Sequence, residues 1–279
     1  MRDFWKRYCR NRGALIGLLI LTLVILIAIL APLLFPQSPW KMVQRPFLPP
    51  FSQGDLLLGT DAVGRDVMAG LAHGAYVSLL VGLVSTIVAL AIGVPIGASA
   101  GYFAGRVDDA LMRFTEFFQT IPSFALAIVL LATFQPSLTF VIIAIAIVSW
   151  PPVARLVRGE VLSLRTREFI EAATLSGLGN LQIITRHILP NALPPIIVLA
   201  SLMVAQAILL ESSLSFLGLG DPNIMSWGYM IGAARTVIRE QWWLSFIPGM
   251  AILLTVLALN LIGEGLNDAL NPRLTRKSK

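Results

Sequence analysis

Residues Arg167 to Pro190 read REFIEAATLSGLGNLQIITRHILP, a polar passage in a chain that is otherwise dominated by apolar runs. The passage is too charged to cross a bilayer and too rich in apolar side chains to be an idle linker, so it is expected to be a docking surface for a soluble partner. Thr166 is placed to cap a short helix carrying Phe169, Glu171, Ala172 and Ala173, and Gly177 to stop that helix in a left-handed turn. Leu181 to Leu189 then form a second helix ended by Pro190. Two alanines beside the turn leave room for a partner, and Phe169 and Leu175 supply anchors for its groove. On residue types alone a second reading stands beside this one. Arg165, Arg167 and Arg186 would equally favour an amphipathic connector lying on a membrane surface.

The rest of the chain explains why this passage stands out. Of 279 residues 56% are hydrophobic and only 13% charged, with a mean hydropathy of +0.80, so a soluble fold would have more apolar surface than it could bury. Lipid must be the main solvent. A net charge of +6 could suggest nucleic acid, but no basic stripe interleaved with aromatics occurs, and the charges sit between the apolar runs. The single cysteine, Cys9, excludes an intrachain disulfide and a paired-cysteine metal site. The run Ala14 to Leu34 is longer than a signal-peptide core and lacks a following cleavage signature, so it is read as an anchor.

A spanning helix needs about 20 apolar residues, which places six spans near 14–35, 77–101, 112–134, 138–154, 196–217 and 244–264. The uncharged stretch from Phe117 to Ala154 is divided into two crossings by Gln135-Pro136-Ser137. The implied organisation is an all-α polytopic membrane protein. It has a cytoplasmic N-terminus (1–13), a first span (14–35), an external loop (36–76), a five-helix core (77–267) carrying the polar loop at about 163–191, and a cytoplasmic tail (268–279). Lysine and arginine number five, two, five and four in the N-terminus, 102–113, 155–195 and the tail, against three and two in 36–76 and 218–243. Sixteen on one side against five on the other puts both termini and the polar loop in the cytoplasm. Trp40, Trp150, Trp242 and Trp243 fall near span ends, where such rings favour the membrane interface.

Gly93, Gly97, Gly101 and Gly105 recur every fourth residue and predict a flat face for close helix packing. Pro95 and Pro122 are expected to kink their spans. Gly97-Ala98-Ser99-Ala100-Gly101 fits the nucleophile-elbow pattern, but that pattern needs a strand-turn-helix context and here sits inside an apolar helix. An intramembrane serine hydrolase would also need a histidine in a span, whereas His73 and His187 are read as loop residues. No phosphate-cradling glycine-lysine motif occurs, so ATP must be used on another subunit. No catalytic residue and no metal site is expected. Glu211, with Ser212 and Ser215 beside it, is the one deep ionisable residue. It either lines a pathway or is bonded to neighbours such as Ser215 one turn on.

The spacing of Glu171-Ala172-Ala173, Gly177 and Leu189-Pro190 resembles the EAA loop of inner-membrane permeases of binding-protein-dependent ABC importers, in the dipeptide, oligopeptide and nickel branch. The sequence departs from the general signature at His187, where isoleucine is usual. The form His187-Ile188-Leu189-Pro190-Asn191 looks typical of the peptide branch. Leu58-Gly59-Thr60-Asp61, Gly64-Arg65-Asp66-Val67, Leu214 to Gly220 and Ser226-Trp227-Gly228 extend the resemblance, which points to the second permease subunit of such systems. It implies the type I ABC importer permease fold and a heterodimer with a related permease. It also implies an external solute-binding protein and two cytoplasmic ATPases that carry ATP and magnesium, this chain having no cofactor of its own. Small peptides are the implied cargo, with nickel or another small solute as the alternative; a membrane scaffold that recruits a soluble protein is the reading from a different class. Asp61, Arg65 and Asp66 either order a turn or meet the binding protein.

Overall fold

The computed structural model describes residues 2–52, 54, 56–134 and 136–270. Residues 271–279 of the expected tail and Gln135 of the expected turn lie outside the described residues. The described residues are mostly helical, with only two isolated antiparallel bridges among them, Met42 with Arg65 and Thr60 with Asp66. In order the helices are α1 (Arg2–Tyr8), α2 (Arg12–Leu34), α3 (Val67–Phe103), α4 (Gly105–Thr120), α5 (Ser123–Thr133), α6 (Leu138–Arg165) and α7 (Glu168–Leu175). There follow α8 (Asn180–Ile183), a π-helical turn (Ile184–Ile188), α9 (Leu189–Phe216), α10 (Trp227–Ala234) and α11 (Trp243–Leu270). Five runs are long and apolar enough to cross a membrane: α2, α3, α6, Asn180–Phe216 and α11. The pair α4–α5, bent by 79°, makes a sixth if counted as one span.

Helices outlast the apolar runs that announce them. The loop expected over 36–76 ends earlier, because the side chain of Asp66 accepts from Met68 N at 2.8 Å and starts α3 at Val67. The span expected over 138–154 continues as helix to Arg165. Its charged last turns are anchored, since Arg158 meets Asp108 of α4 in a two-pronged pair at 2.5 and 2.6 Å, and Arg165 donates to the carbonyl of Tyr102 at 3.1 Å. Trp150 is not an interface anchor. It is 3% exposed, packed against Phe114 and Phe118 with ring centroids 5.8 and 5.3 Å away. Pro122 sits at the α4–α5 bend, whereas Pro95 lies inside the unbroken α3.

The glycine face is where the bundle closes most tightly. A Cβ on Gly93 would stand 2.6 Å from Val153 Cβ, one on Gly97 2.3 Å from the carbonyl oxygen of Ala154, and one on Gly101 2.8 Å from that of Arg158. Successive turns of α3 thus lie directly on successive turns of α6. Gly105 does not extend the face, having open space around it and a φ of +52° at the start of α4. Val153, Ala154, Val157 and Val161 complete this core and carry it to Ile170, Ile184 and Ile188.

Candidate coupling loop and buried carboxylate

The polar passage forms a bent hairpin standing on the end of α6. Arg167 rather than Thr166 is the residue before the short helix; Thr166 closes α6. Glu168 and Glu171 lie in the first turn of α7, where carboxylates favour the partial positive charge of the helix start. Gly177 adopts φ +78°, and Gly177 N donates to Thr174 O at 3.0 Å, so the left-handed stop is formed. The second arm differs from expectation. It does not end at Pro190 but runs on through the π turn into α9 as one helix, Asn180–Phe216. A proline ring clashes with the carbonyl four residues back, here that of Arg186, and the wider π turn over Ile184–Ile188 draws that carbonyl away.

The loop has two faces. Ile170, Ala173, Ile183, Ile184 and Ile188 are buried in the α3–α6 core, which fixes the hairpin rigidly to the bundle. On the other face Phe169, Leu175 and Leu181 are exposed, Leu175 to 89% and Leu181 to 75%. Glu171 and Ala172 are exposed beside them, so only Ala172 of the two alanines is open to a partner. His187 and Leu189 are half-buried and Pro190 exposed. The carbonyl of His187 accepts from Asn191 Nδ2 at 2.7 Å.

Glu211 lies at the opposite end of α9, about 33 Å from Leu189 at 1.5 Å per residue, so loop and carboxylate are not brought together. Its side chain is 4% exposed. Oε1 accepts from Ser215 Oγ at 2.9 Å and from Ser226 Oγ at 2.8 Å. Ser212 Oγ lies 3.4 Å from Oε2, but it donates to Ile208 O at 2.9 Å, so it adds little to the carboxylate. Ser226 also caps α10 by accepting from Tyr229 N at 3.0 Å. Next to it, a Cβ on Gly228 would fall 2.8 Å from Oε2, so only glycine lets α10 approach this closely. Trp227 fixes the other side, its Nε1 donating to Leu71 O at 2.9 Å and its backbone N to Ser78 Oγ at 3.1 Å. The carboxylate therefore holds α10 on α9. Ser226 and Gly228 were visible in the sequence only as parts of a motif, though a serine ahead of an apolar run is a capping signal.

The three polar residues ahead of α3 build the segment between α2 and α3. Asp61 Oδ1 accepts from Val63 N and Arg65 N at 2.9 and 2.8 Å, closing a side-chain turn, and Asp66 caps α3. Arg65 stacks over Trp40, 4.6 Å from the ring centroid, and donates to Tyr229 OH at 3.3 Å. Gly59 and Gly64 have φ of +76° and +82°, and a Cβ on either would lie 2.0 Å from a carbonyl oxygen of the 44–48 stretch. These residues tie the segment to α3 and α10.

A bundle of membrane-length helices with an apolar-tipped hairpin at one end and a carboxylate-clamped helix at the other defines a multi-pass membrane protein. Comparison with known proteins gives the family. Residues 93–276 match the binding-protein-dependent transport system inner membrane component, and residues 1–50 the N-terminal TM domain of oligopeptide transport permease C. The chain belongs to this family of inner-membrane permeases. It is 41% identical to the di/tripeptide transport system permease protein DppC of Pseudomonas aeruginosa (strain UCBPP-PA14), over 98% of this chain and 92% of that one. It is 39% identical to the oligopeptide transport system permease protein OppC of Haemophilus influenzae (strain ATCC 51907 / DSM 11121 / KW20 / Rd), over 98% and 88%. With the dipeptide transport system permease protein DppC of Bacillus subtilis (strain 168) the identity is 38%, over 99% and 86%. Among solved structures, the inward-facing MetNI methionine ABC transporter superposes with a TM-score of 0.62 at 19% identity, covering 74% of this chain and 98% of that one. That likeness is one of fold.

Proposed function

We propose that this chain is one of two related permeases in a peptide importer, and that its docking hairpin seats in a cytoplasmic ATPase. The supporting observation is the division of the hairpin into a buried face continuous with the α3–α6 core and an exposed face of Phe169, Leu175 and Leu181. ATP and magnesium act on the ATPases, and an external binding protein delivers the peptide. Closure of the ATPases pushes on the hairpin, and the bundle passes the push to the far end, exchanging inward-facing and outward-facing states. Both termini and the hairpin are cytoplasmic in this reading, which the sixteen-to-five charge division supports.

Two measurements test it. Leu175→Glu is expected to reduce the ATPases copurifying with the permeases by about tenfold or more, because a charge replaces an apolar anchor, while recovery of the chain itself stays normal. Undiminished recovery of the ATPases, with peptide uptake intact, would refute the docking assignment. Topology reporters placed after Lys279 and at Ser176 are expected to read cytoplasmic, and one at Asp61 external. A cytoplasmic Asp61 would overturn the orientation.

A further inference from the structure

The concave side of the α4–α5 bend, with α6 and α9, encloses a cavity of about 450 Å³ whose lining includes Gln119, Ser123, Ser149 and Gln206 and no charged residue. Its depth follows from helix geometry. The start of α6 and the end of α9 lie at the same end of the bundle, because Asp221 Oδ2 accepts from Leu138 N at 3.0 Å. At 1.5 Å per residue from that end, Ser149 lies about 17 Å down, Gln206 about 15 Å, and the bend about 16 Å, near the middle of a hydrocarbon core about 30 Å thick.

Three observations make this a surface that faces water or protein rather than lipid. Gln206 is exposed and makes no hydrogen bond among the described residues, and a primary amide in that state is not sustained against hydrocarbon. Pro151 and Pro152 have no amide protons, so the carbonyls of Ile147 and Val148 lose their helical donors. Val148 and both prolines line the cavity, and unpaired backbone at membrane depth is tolerated where it is buried in protein or lines a water-filled cavity. Arg155, on the rim nearer the hairpin, donates from Nη1 to Gln119 Oε1 at 2.9 Å. No carboxylate pairs with it among the described residues, where the ion pairs are Arg65–Asp61 and Arg158–Asp108.

We propose that this cavity is the half of the solute pathway contributed by this chain, and that Arg155, held by Gln119, receives the free carboxylate of a peptide whose backbone amides exchange hydrogen bonds with Ser123, Ser149 and Gln206. The inference rests on the peptide reading above. The volume suits a small-molecule site. Amide and hydroxyl groups engage a main chain without selecting its side chains, and the absence of a lining carboxylate spares the cargo's own from repulsion.

The test uses the whole complex in proteoliposomes, with cysteine-free partners and Cys9→Ser in this chain. Gln206→Cys is expected to react with a membrane-impermeant methanethiosulfonate ammonium reagent from the ATPase side without nucleotide, and from the binding-protein side when the complex is trapped with ATP and vanadate. Leu23→Cys on α2 should stay unlabelled. Absence of labelling at position 206 in both states would overturn the pathway. Uptake of dialanine and of dialanine amide gives the second arm. Arg155→Gln is expected to lower dialanine uptake by about tenfold and to abolish the preference over the amide, with Arg155→Lys restoring the preference. An unchanged preference in Arg155→Gln would overturn the carboxylate site. If the unmodified complex moves neither peptide, the peptide reading fails and takes the carboxylate site with it, while the labelling still decides the pathway.

Discussion

Gly97→Leu is expected to abolish recovery of the folded chain from membranes. Even a single methyl there would stand 2.3 Å from the carbonyl oxygen of Ala154 and 2.9 Å from Val157 Cβ. The obstacle is backbone on a neighbouring helix, which cannot turn aside as a side chain can, so α3 and α6 must separate along their whole contact. Overpacking costs about 1 to 3 kcal/mol where neighbours can yield, and here they cannot, so Gly97→Ala should already lower the thermal midpoint of the purified complex. Gly159→Ala is the matched control, because open space surrounds Gly159, and alanine is favoured over glycine in a helix by about 1 kcal/mol. Wild-type yield and midpoint for Gly97→Leu would show that α3 and α6 do not meet as described.

Glu211→Ala is expected to release α10. Ser215 and Ser226 would each lose a buried acceptor, at about 1 to 3 kcal/mol apiece, and a void would open where Gly228 now touches the carboxylate. Limited proteolysis should then cut within 218–243 in the mutant and spare the parent. Gly228→Ala attacks the same contact from the other side and should give the same cleavage. Glu211→Gln keeps one acceptor oxygen and should be intermediate. A pathway role predicts something else, namely Glu211→Gln with full yield, protease resistance and lowered uptake. That pattern would show the clamp to be dispensable.

Much of this was legible in the residues, because lipid imposes a simple rule on composition. Six apolar runs, the polar hairpin with its glycine stop, and the serine one turn beyond Glu211 follow from hydropathy, turn chemistry and helix spacing. What stayed hidden has a common cause. Hydropathy marks where a chain meets hydrocarbon, whereas the helix ends where its backbone hydrogen bonds end. Asp66 therefore starts α3 ahead of its apolar run, and the Asp108–Arg158 pair holds α6 together past its own. Trp150 carries an interface residue's signature, yet Phe114 and Phe118 enclose it. Ser226 reaches Glu211 across fifteen residues, and contacts of that kind depend on tertiary placement that no local pattern encodes.

Asn180–Phe216, a single helix of 37 residues, has a mechanical consequence. Along its length it meets α3 where Gly82 faces Val204 and Ile208, α11 where Gly263 faces Ser201 and Leu202, and α10 where Gly228 and Gly232 face Glu211, Ser212 and Ser215. Because its hairpin end is packed into the α3–α6 core and its other end holds α10 through Glu211, any displacement of the hairpin under the coupling proposed above would be handed to α10 along one unbroken rod.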